Sequence, residues 1–178
     1  MKTIAFIGAP GVGKSTLAYG LYYNYKISSK KVELIPELAK YKVYQGVDFS
    51  EFGFNVKNMI EQLDFENKFF ENQFDYLITE APICVGFFYS SFYNDCYEIN
   101  DFLYKLMSEK SRYNLYVFVK HSGLDNYEDF GRNEDITQSL AIEKSIEEII
   151  RRNQSIFPNV IETTCKEDIG HLISMLEV

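Results

Sequence analysis

A glycine-rich stretch near the amino terminus constrains this chain more than any other feature of its 178 residues. The stretch reads Gly8-Ala-Pro-Gly-Val-Gly-Lys-Ser15, and it directly follows the apolar run Thr3–Ile7. A nearly continuous apolar run is typical of a strand that is buried on both faces. Leu17, Leu21 and Tyr25 then recur at four-residue spacing, which predicts an amphipathic helix. The chain therefore opens with the order strand, loop, helix.

The alternation of strands and helices continues along the whole chain. Short apolar runs predict strands at 3–7, 31–35, 76–79, 115–119 and 160–162. Helical periodicity predicts helices at 15–25, 37–44, 54–74, 85–93, 99–107, 135–152 and 168–176. Strands that alternate with helices form a mainly parallel sheet covered on both faces. We therefore predict a three-layer α/β fold with a five-stranded sheet, in one domain over residues 1–178 with a lid at 120–134.

The glycine-rich stretch matches G-x-x-x-x-G-K-[ST], the phosphate-binding loop, in the strand-to-helix setting that this motif requires. Glycines let backbone N–H groups turn toward an anion, and the helix adds the positive end of its dipole. We therefore predict a P-loop NTPase fold in which Lys14 contacts the β- and γ-phosphates of ATP and Ser15 is a ligand of Mg²⁺. The residues predicted to bind ATP are Gly8, Ala9, Pro10, Gly11, Val12, Gly13, Lys14, Ser15 and Thr16.

Two carboxylates follow predicted strands, at the edge where ligands bind to parallel sheets. Glu80 comes after the strand 76–79, where it is a candidate to hold a Mg²⁺-bound water or to orient the nucleophile. The alternative is an ordinary solvated acid at a strand end. Glu37 follows Pro36 at the end of the second strand, where a carboxylate is a candidate base for a substrate hydroxyl. The alternative there is an acid that the dipole of a helix start favours.

Other side chains give weaker signals. Arg132 lies in the predicted lid, where a cation would close over the triphosphate, and a solvated arginine is the alternative. Tyr89 and Tyr93 are one helical turn apart, so one of them is a candidate to face the acceptor; core packing is the alternative. His121 and His171 have no partner at metal-ligand spacing, which predicts that both are ordinary residues.

Charge and cysteine content narrow the functional classes. The chain holds 18 lysine and arginine residues against 26 acidic ones, a formal net charge of −8. Proteins that coat duplex DNA need a basic face, so this balance disfavours that class, although a narrow basic groove is compatible with it. The three cysteines are odd in number and widely spaced, which argues against a disulfide framework and against a thiolate zinc site.

Taken with the loop, the layout resembles the small P-loop kinases, and more narrowly the ribosylnicotinamide-kinase-type ATPase/kinase domains that are common in bacteriophages. In that family a strand ends in Pro-Glu and then Ala-Arg, and this chain has Pro36-Glu37-Leu38-Ala39-Lys40. A later strand ends in Asp-Arg-Ser with a tyrosine nine residues after the Asp; here Glu80 and Tyr89 keep the carboxylate and the tyrosine but not the arginine. The family's Gly-Arg lid is matched by Gly131-Arg132. The resemblance implies a nucleoside- or nucleotide-like acceptor.

The predicted location follows from what the sequence does not contain. No window approaches the about 18 consecutive apolar residues that a membrane helix needs. The apolar start of the chain is interrupted by Gly8, Pro10 and Gly11 before it reaches the length of a signal peptide core. We therefore expect no membrane partner and a cytoplasmic location, which is the host cytoplasm if the chain is phage-encoded. Nothing in the sequence indicates an oligomeric state.

The distribution of arginine bears on the acceptor. The four arginines are Arg112, Arg132, Arg151 and Arg152, and none lies in residues 1–111. Monophosphate kinases usually hold the acceptor phosphate with bidentate arginines. Their absence from this region favours a neutral hydroxyl acceptor, or a phosphate held by lysines. The candidate lysines are Lys40, Lys42 and Lys57.

The sequence therefore predicts an ATP- and Mg²⁺-dependent phosphotransferase, with Lys14, Glu37, Glu80 and Arg132 as catalytic residues and Ser15 and Glu80 at the metal. A hydroxyl acceptor is slightly preferred. Two alternatives keep the same machinery: a nucleoside monophosphate kinase, and a kinase that acts on a hydroxymethylated base in DNA. An alternative of a different class is an ATPase switch that acts on a protein partner.

Overall fold

The computed structural model describes residues 1–47, 53–110, 112–123, 134–166 and 169–176. Five strands lie within these residues: β1 Lys2–Ile7, β2 Val32–Ile35, β3 Tyr76–Thr79, β4 Leu115–Lys120 and β5 Val160–Thr164. Seven helices accompany them: α1 Lys14–Ile27, α2 Leu38–Tyr44, α3 Phe54–Phe70, α4 Cys84–Phe92, α5 Tyr97–Lys110, α6 Ile136–Arg152 and α7 Ile169–Leu176.

The strands form one sheet in the order β2-β3-β1-β4-β5, and each described pairing is parallel. The central strand β1 pairs Ala5 with Thr79 of β3 and with Tyr116 of β4. Because all strands run in the same direction, their carboxyl ends meet at one edge of the sheet. The segments that follow β1, β2, β3 and β4 at this edge contain the candidate site residues.

The core forms where the apolar runs of β1 and β4 lie side by side. Ile4, Phe6, Val117 and Val119 are fully buried, as expected for central strands covered on both faces. The helices fall into two groups, since α1 packs on α7 whereas α4 packs on α3, α5 and α6. With the sheet between the two groups, this is the three-layer α/β P-loop fold that the sequence predicts.

Helix α3 is shorter than predicted. Its periodicity suggested an end at Phe74, but the helix ends at Phe70. The Asn72 side chain donates to the carbonyl of Lys68 and satisfies a group in the last turn. The Asp75 N–H then donates to the carbonyl of Lys31, which brings the chain to the sheet in time to start β3. The aromatic residues after Phe70 continue the apolar pattern without continuing the helix.

The described residues include only a small part of the predicted lid. The lid at 120–134 falls largely outside the described residues, which include 120–123 and 134 of it, and Arg132 lies outside them as well. Among the helices of the described ranges, none is long and apolar enough to span a bilayer.

Candidate active site

The phosphate-binding loop is shaped by close backbone approaches at two glycines. Gly8 has φ +148°, and a Cβ there would lie 2.4 Å from the carbonyl oxygen of Val119 on β4. Gly13 has φ +90°, and a Cβ there would lie 2.4 Å from the Cβ of Cys165, just after β5. Both positions therefore exclude a side chain for two reasons, backbone conformation and lack of space. The loop is thus enclosed by the ends of β4 and β5.

The first turn of α1 supplies the two elements of an anion site, a helix N-terminus and a positively charged side chain. Gly13 is the N-cap and provides no side-chain capping hydrogen bond, which suits a helix N-terminus that binds an anion. The Lys14 ammonium donates to the carbonyls of Gly8 and Ala9 at 3.0 and 2.9 Å. Its positive charge therefore lies across the loop, next to the helix N-terminus. Ser15 is half-buried beside it, whereas Thr16 is exposed.

Glu80 stands directly after β3, next to the central strand. Its N–H donates to the carbonyl of Ile35 at 3.1 Å, so the backbone here still follows the sheet. The residue is 4% exposed, and its Oε1 has no hydrogen-bond partner within the described ranges. A buried carboxylate oxygen without a partner is costly unless a cation, a water or a substrate group completes it.

The surroundings of Glu80 fit Mg²⁺. The pKa of Tyr19 is raised, first by burial and then by the nearby Glu80 carboxylate and the Tyr41 phenol. Tyr19 lies one turn after Ser15 on α1, which places the two residues on the same face of that helix. Within the described residues, no group of three or more His, Cys, Asp and Glu side chains is able to hold a metal ion. One carboxylate, one hydroxyl and the phosphates of a nucleotide are the usual donor set for Mg²⁺.

Glu37 lies at the N-cap of α2, and its side chain makes no capping hydrogen bond to that helix. The segment around it is held from α3 by Gln62, which is 2% exposed. The Gln62 amide accepts from the Leu38 N–H at 3.0 Å and donates to the Pro36 carbonyl at 3.1 Å. Both backbone neighbours of Glu37 are thereby fixed. Sequence reasoning missed Gln62, and a polar residue on the apolar face of α3 was the available signal.

A second buried group on α3 supports the end of β3. Glu66 is fully buried, and its carboxylate accepts from the hydroxyls of Thr79 and Tyr113, each at 2.7 Å. The Tyr113 hydroxyl also accepts from the Ile83 N–H at 3.0 Å. Burial raises the pKa of Glu66 to about 7, against the lowering effect of these hydrogen bonds and of Arg112 at 4.0 Å. Glu66 therefore anchors the residues on both sides of Glu80.

The candidate residues Tyr89 and Tyr93 lie close to each other at the end of α4. Tyr89 and Tyr93 stack with centroids 6.3 Å apart, and the Tyr93 hydroxyl donates to Glu134 at 3.0 Å. This bond joins the end of α4 to the residue that follows the undescribed part of the lid. Whether either tyrosine faces an acceptor stays a prediction, as do the roles of Arg132 and Glu37.

His121 departs from its sequence prediction. It follows β4 and contacts Glu143 and Ser139 of α6 through both ring nitrogens, at 2.7 and 3.0 Å. Ser139 in turn donates to the carbonyl of Pro10 in the phosphate-binding loop at 2.5 Å. Sequence reasoning looked for metal-ligand spacing and did not anticipate this array. Ser139 and Glu143 are one turn apart on α6, which was the signal available.

The fold is shared with solved structures of low sequence identity. The NadR protein in complex with NR superposes with a TM-score of 0.76 at 16% identity, over 99% of this chain and 50% of that one. The deoxyadenosine kinase from M. mycoides with bound dATP gives a TM-score of 0.67 at 15% identity, over 100% of both chains. This chain therefore spans about half the length of NadR and the full length of the kinase.

Sequence comparison gives a family as well. No curated protein matches the chain. The family model described as an AAA domain matches residues 3–167, which include the loop, Glu37, Glu80, β1 except its first residue, and the strands β2 to β5. On this match, the chain belongs to the AAA domain family.

Proposed function

We propose that this chain is an ATP- and Mg²⁺-dependent phosphotransferase that transfers the γ-phosphoryl group to a hydroxyl of a nucleoside-like small molecule. The observation that carries the proposal is the buried Glu80 carboxylate, whose Oε1 lacks a partner within the described ranges, one strand away from the phosphate-binding loop. Structural neighbours described as a deoxyadenosine kinase and as NadR in complex with NR support a nucleoside-like acceptor.

In the proposed reaction, the acceptor oxygen attacks the γ-phosphorus and the bond from that phosphorus to the leaving oxygen of ADP breaks. Glu37 accepts the proton of the hydroxyl, and Lys14 stabilises charge on the phosphates. Ser15 and Glu80 would hold Mg²⁺, which would supply positive charge to offset that of the phosphates. From the sequence, Arg132 is assigned to close over the transferring group. Catalysis then rests mainly on positioning and charge, as is usual for phosphoryl transfer.

The lysines near the acceptor side support a hydroxyl rather than a phosphate acceptor. Lys42 pairs with Glu61 at 2.5 Å and lies over the Phe54 ring, so its charge is already largely neutralised. Lys40 and Lys57 are exposed, where a lysine binds phosphate weakly. No arginine of residues 1–111 exists to replace them.

The direct test is an assay with labelled ATP against nucleosides, nucleoside monophosphates, hydroxymethylated DNA and a reaction without acceptor. We expect labelled product with nucleosides. Conversion of monophosphates alone would identify a monophosphate kinase, and label in DNA would identify a DNA-modifying kinase. ATP consumption that is independent of every acceptor would favour the ATPase switch, which the AAA domain description also accommodates.

The variant Glu37→Gln tests the acceptor side separately. We expect turnover to fall by about 100-fold with ATP affinity unchanged, because the carboxylate acts on the acceptor proton. Glu33→Gln, on the strand β2 that precedes Glu37, is the matched control. Undiminished turnover by Glu37→Gln would remove Glu37 from the mechanism.

A further inference from the structure

A chain of hydrogen bonds connects α6 to the phosphate-binding loop without taking part in phosphoryl transfer. Glu143 Oε2 accepts from the His121 backbone N–H at 2.7 Å and lies 2.7 Å from His121 Nδ1. His121 Nε2 lies 3.0 Å from Ser139 Oγ, and Ser139 Oγ lies 2.5 Å from the Pro10 carbonyl oxygen. Ser139 is fully buried, and the His121 and Glu143 side chains are 8% and 15% exposed.

A count of hydrogens shows which protonation state satisfies every contact of this array. A serine hydroxyl has one hydrogen, and the Pro10 carbonyl is an acceptor only, so at 2.5 Å that hydrogen lies between Ser139 and Pro10. The Ser139–His121 contact then needs a hydrogen on Nε2. The His121–Glu143 contact needs another hydrogen, which we assign to Nδ1 because a carboxylic acid is a stronger acid than an imidazolium. All three bonds exist together when both ring nitrogens of His121 are protonated.

We propose that His121 is a positioning residue for the phosphate-binding loop, and that its imidazolium form, held by Glu143, is what leaves the Ser139 hydroxyl free to fix the Pro10 carbonyl. In the neutral form, Ser139 has one hydrogen for two acceptors, Nε2 and the Pro10 oxygen. The loop then loses its bond to α6 in part of the molecules. The part of the proposal that concerns nucleotide affinity rests on the proposed function.

The order serine, histidine, glutamate also occurs in hydrolases, but the geometry here excludes that use. Ser139 is 0% exposed and donates its hydrogen to the Pro10 carbonyl, so no substrate reaches its oxygen. In a nucleophilic triad the serine instead gives its proton to a neutral imidazole. The array therefore acts on the loop and not on a substrate.

The charges around His121 leave Glu143 as its ion-pair partner within the described ranges. Lys120, on β4, is paired with Glu147 and Glu162 at 3.1 and 3.2 Å. From the segment after β5, Lys166 donates to the Ser122 carbonyl at 3.3 Å and the Cys165 thiol lies 3.5 Å from the Ser122 hydroxyl. From the loop, Lys14 donates to the carbonyls of Gly8 and Ala9.

Nuclear magnetic resonance of the full chain tests the protonation directly. His171→Gln changes an exposed residue and leaves His121 as the single imidazole, so ¹⁵N-histidine labelling reports on it alone. We expect the ¹³C shift of the Pro10 carbonyl to follow the protonation of His121 in one common transition. A Pro10 shift that ignores the titration of His121 would overturn the proposal.

Three variants separate positioning from general stability. Ser139→Ala should lower the affinity for a non-hydrolysable ATP analogue by about fivefold to tenfold at every pH, whereas Ser174→Ala, an exposed serine on α7, should not. His121→Gln offers a permanent N–H toward Ser139, and should keep the acid-side affinity on the alkaline side, where the parent chain loses it. Equal pH profiles for the parent chain and His121→Gln would contradict the inference.

The proposed function and the proposed role of His121 would be contradicted by different results. If no ATP analogue binds the parent chain, the proposed function fails, and the Pro10 carbonyl shift still decides the role of His121. If the analogue binds and the Pro10 shift in Ser139→Ala equals that of the parent chain, the loop needs no clamp and the role of His121 is wrong.

Discussion

In the proposed phosphotransferase, the donor side and the acceptor side of the site are built in opposite ways. The donor side, after β1, is made of backbone groups and one lysine within the eight residues of the loop. The acceptor side, after β2 and β3, is made of side chains that α3 holds in place through Gln62 and Glu66. A local motif therefore specifies the first, whereas packing between distant segments specifies the second.

This contrast indicates which substitutions would disrupt each side of the site. The backbone N–H groups of the loop remain when side chains are changed. The ability of the loop to bind phosphate is therefore lost mainly when a side chain is added at a glycine or when the charge of Lys14 is removed. The acceptor side depends on buried polar side chains, and a buried polar group left without its partner costs about 1 to 3 kcal/mol. Substitutions on the two sides should therefore differ in kind as well as in size.

The largest effect is expected from Lys14→Ala on the donor side. Its ammonium is the charge that lies across the loop, and its removal should reduce phosphoryl transfer by about 1,000-fold with the fold intact. Circular dichroism and an ATP turnover assay measure the two properties. Lys26→Ala, near the other end of α1, is the control. A folded Lys14→Ala variant with full turnover would contradict the assignment of the loop.

On the acceptor side, Glu66→Gln should remove a pH dependence of stability. Burial raises the pKa of Glu66 to about 7 in the folded chain, and in the unfolded chain a glutamate titrates near about 4.3. Between these values the folded state holds a proton that the unfolded state has lost. The free energy of unfolding should therefore fall by about 3 kcal/mol as pH rises through this window.

Urea denaturation at several pH values checks this prediction. Glu66→Gln keeps an acceptor for Tyr113 but does not titrate, so its stability should be nearly flat where the parent chain declines. Glu71→Gln, an exposed residue just after α3, should keep the parental slope. A Glu66→Gln profile that parallels the parent chain would show that this carboxyl does not govern the slope.

The third prediction compares two glycines of positive φ. Gly13→Ala meets Cys165 at 2.4 Å, whereas Gly46→Ala, with φ +68°, meets nothing within 4 Å. Backbone strain should cost both variants about 1 kcal/mol, and crowding should cost Gly13→Ala about 2 kcal/mol more. Thermal unfolding of both variants measures the difference. Equal losses would mean that β5 does not crowd the loop.

The smallest effect is expected from Gln62→Met, which keeps the volume but leaves the Leu38 N–H and the Pro36 carbonyl without their partner. Stability should fall by about 1.5 kcal/mol, and turnover should fall while ATP affinity is kept, because Glu37 shifts. Gln45→Met, an exposed residue at the end of α2, is the control. A parallel loss of ATP affinity would show that the two sides are coupled.

The fold was largely predictable, because strand and helix periodicities and the loop motif are local signals. The prediction of a parallel α/β P-loop fold is confirmed, and the placement of Glu37 and Glu80 at strand ends followed from it. The supporting side chains were not predictable. Glu66 meets Tyr113 across 47 residues and His121 meets Glu143 across 22, and no sequence period connects such positions. The end of α3 was missed because apolar residues continue beyond it.

The contact between Gly13 and Cys165 has a consequence for the order of folding. The loop lies at residues 8–15, but its surroundings include the residue after β5, the strand that pairs with β4. Loop closure over such a separation is entropically costly and comes late. We therefore expect the segment that carries the motif to reach its final shape during synthesis only after the residues up to Cys165 have been added.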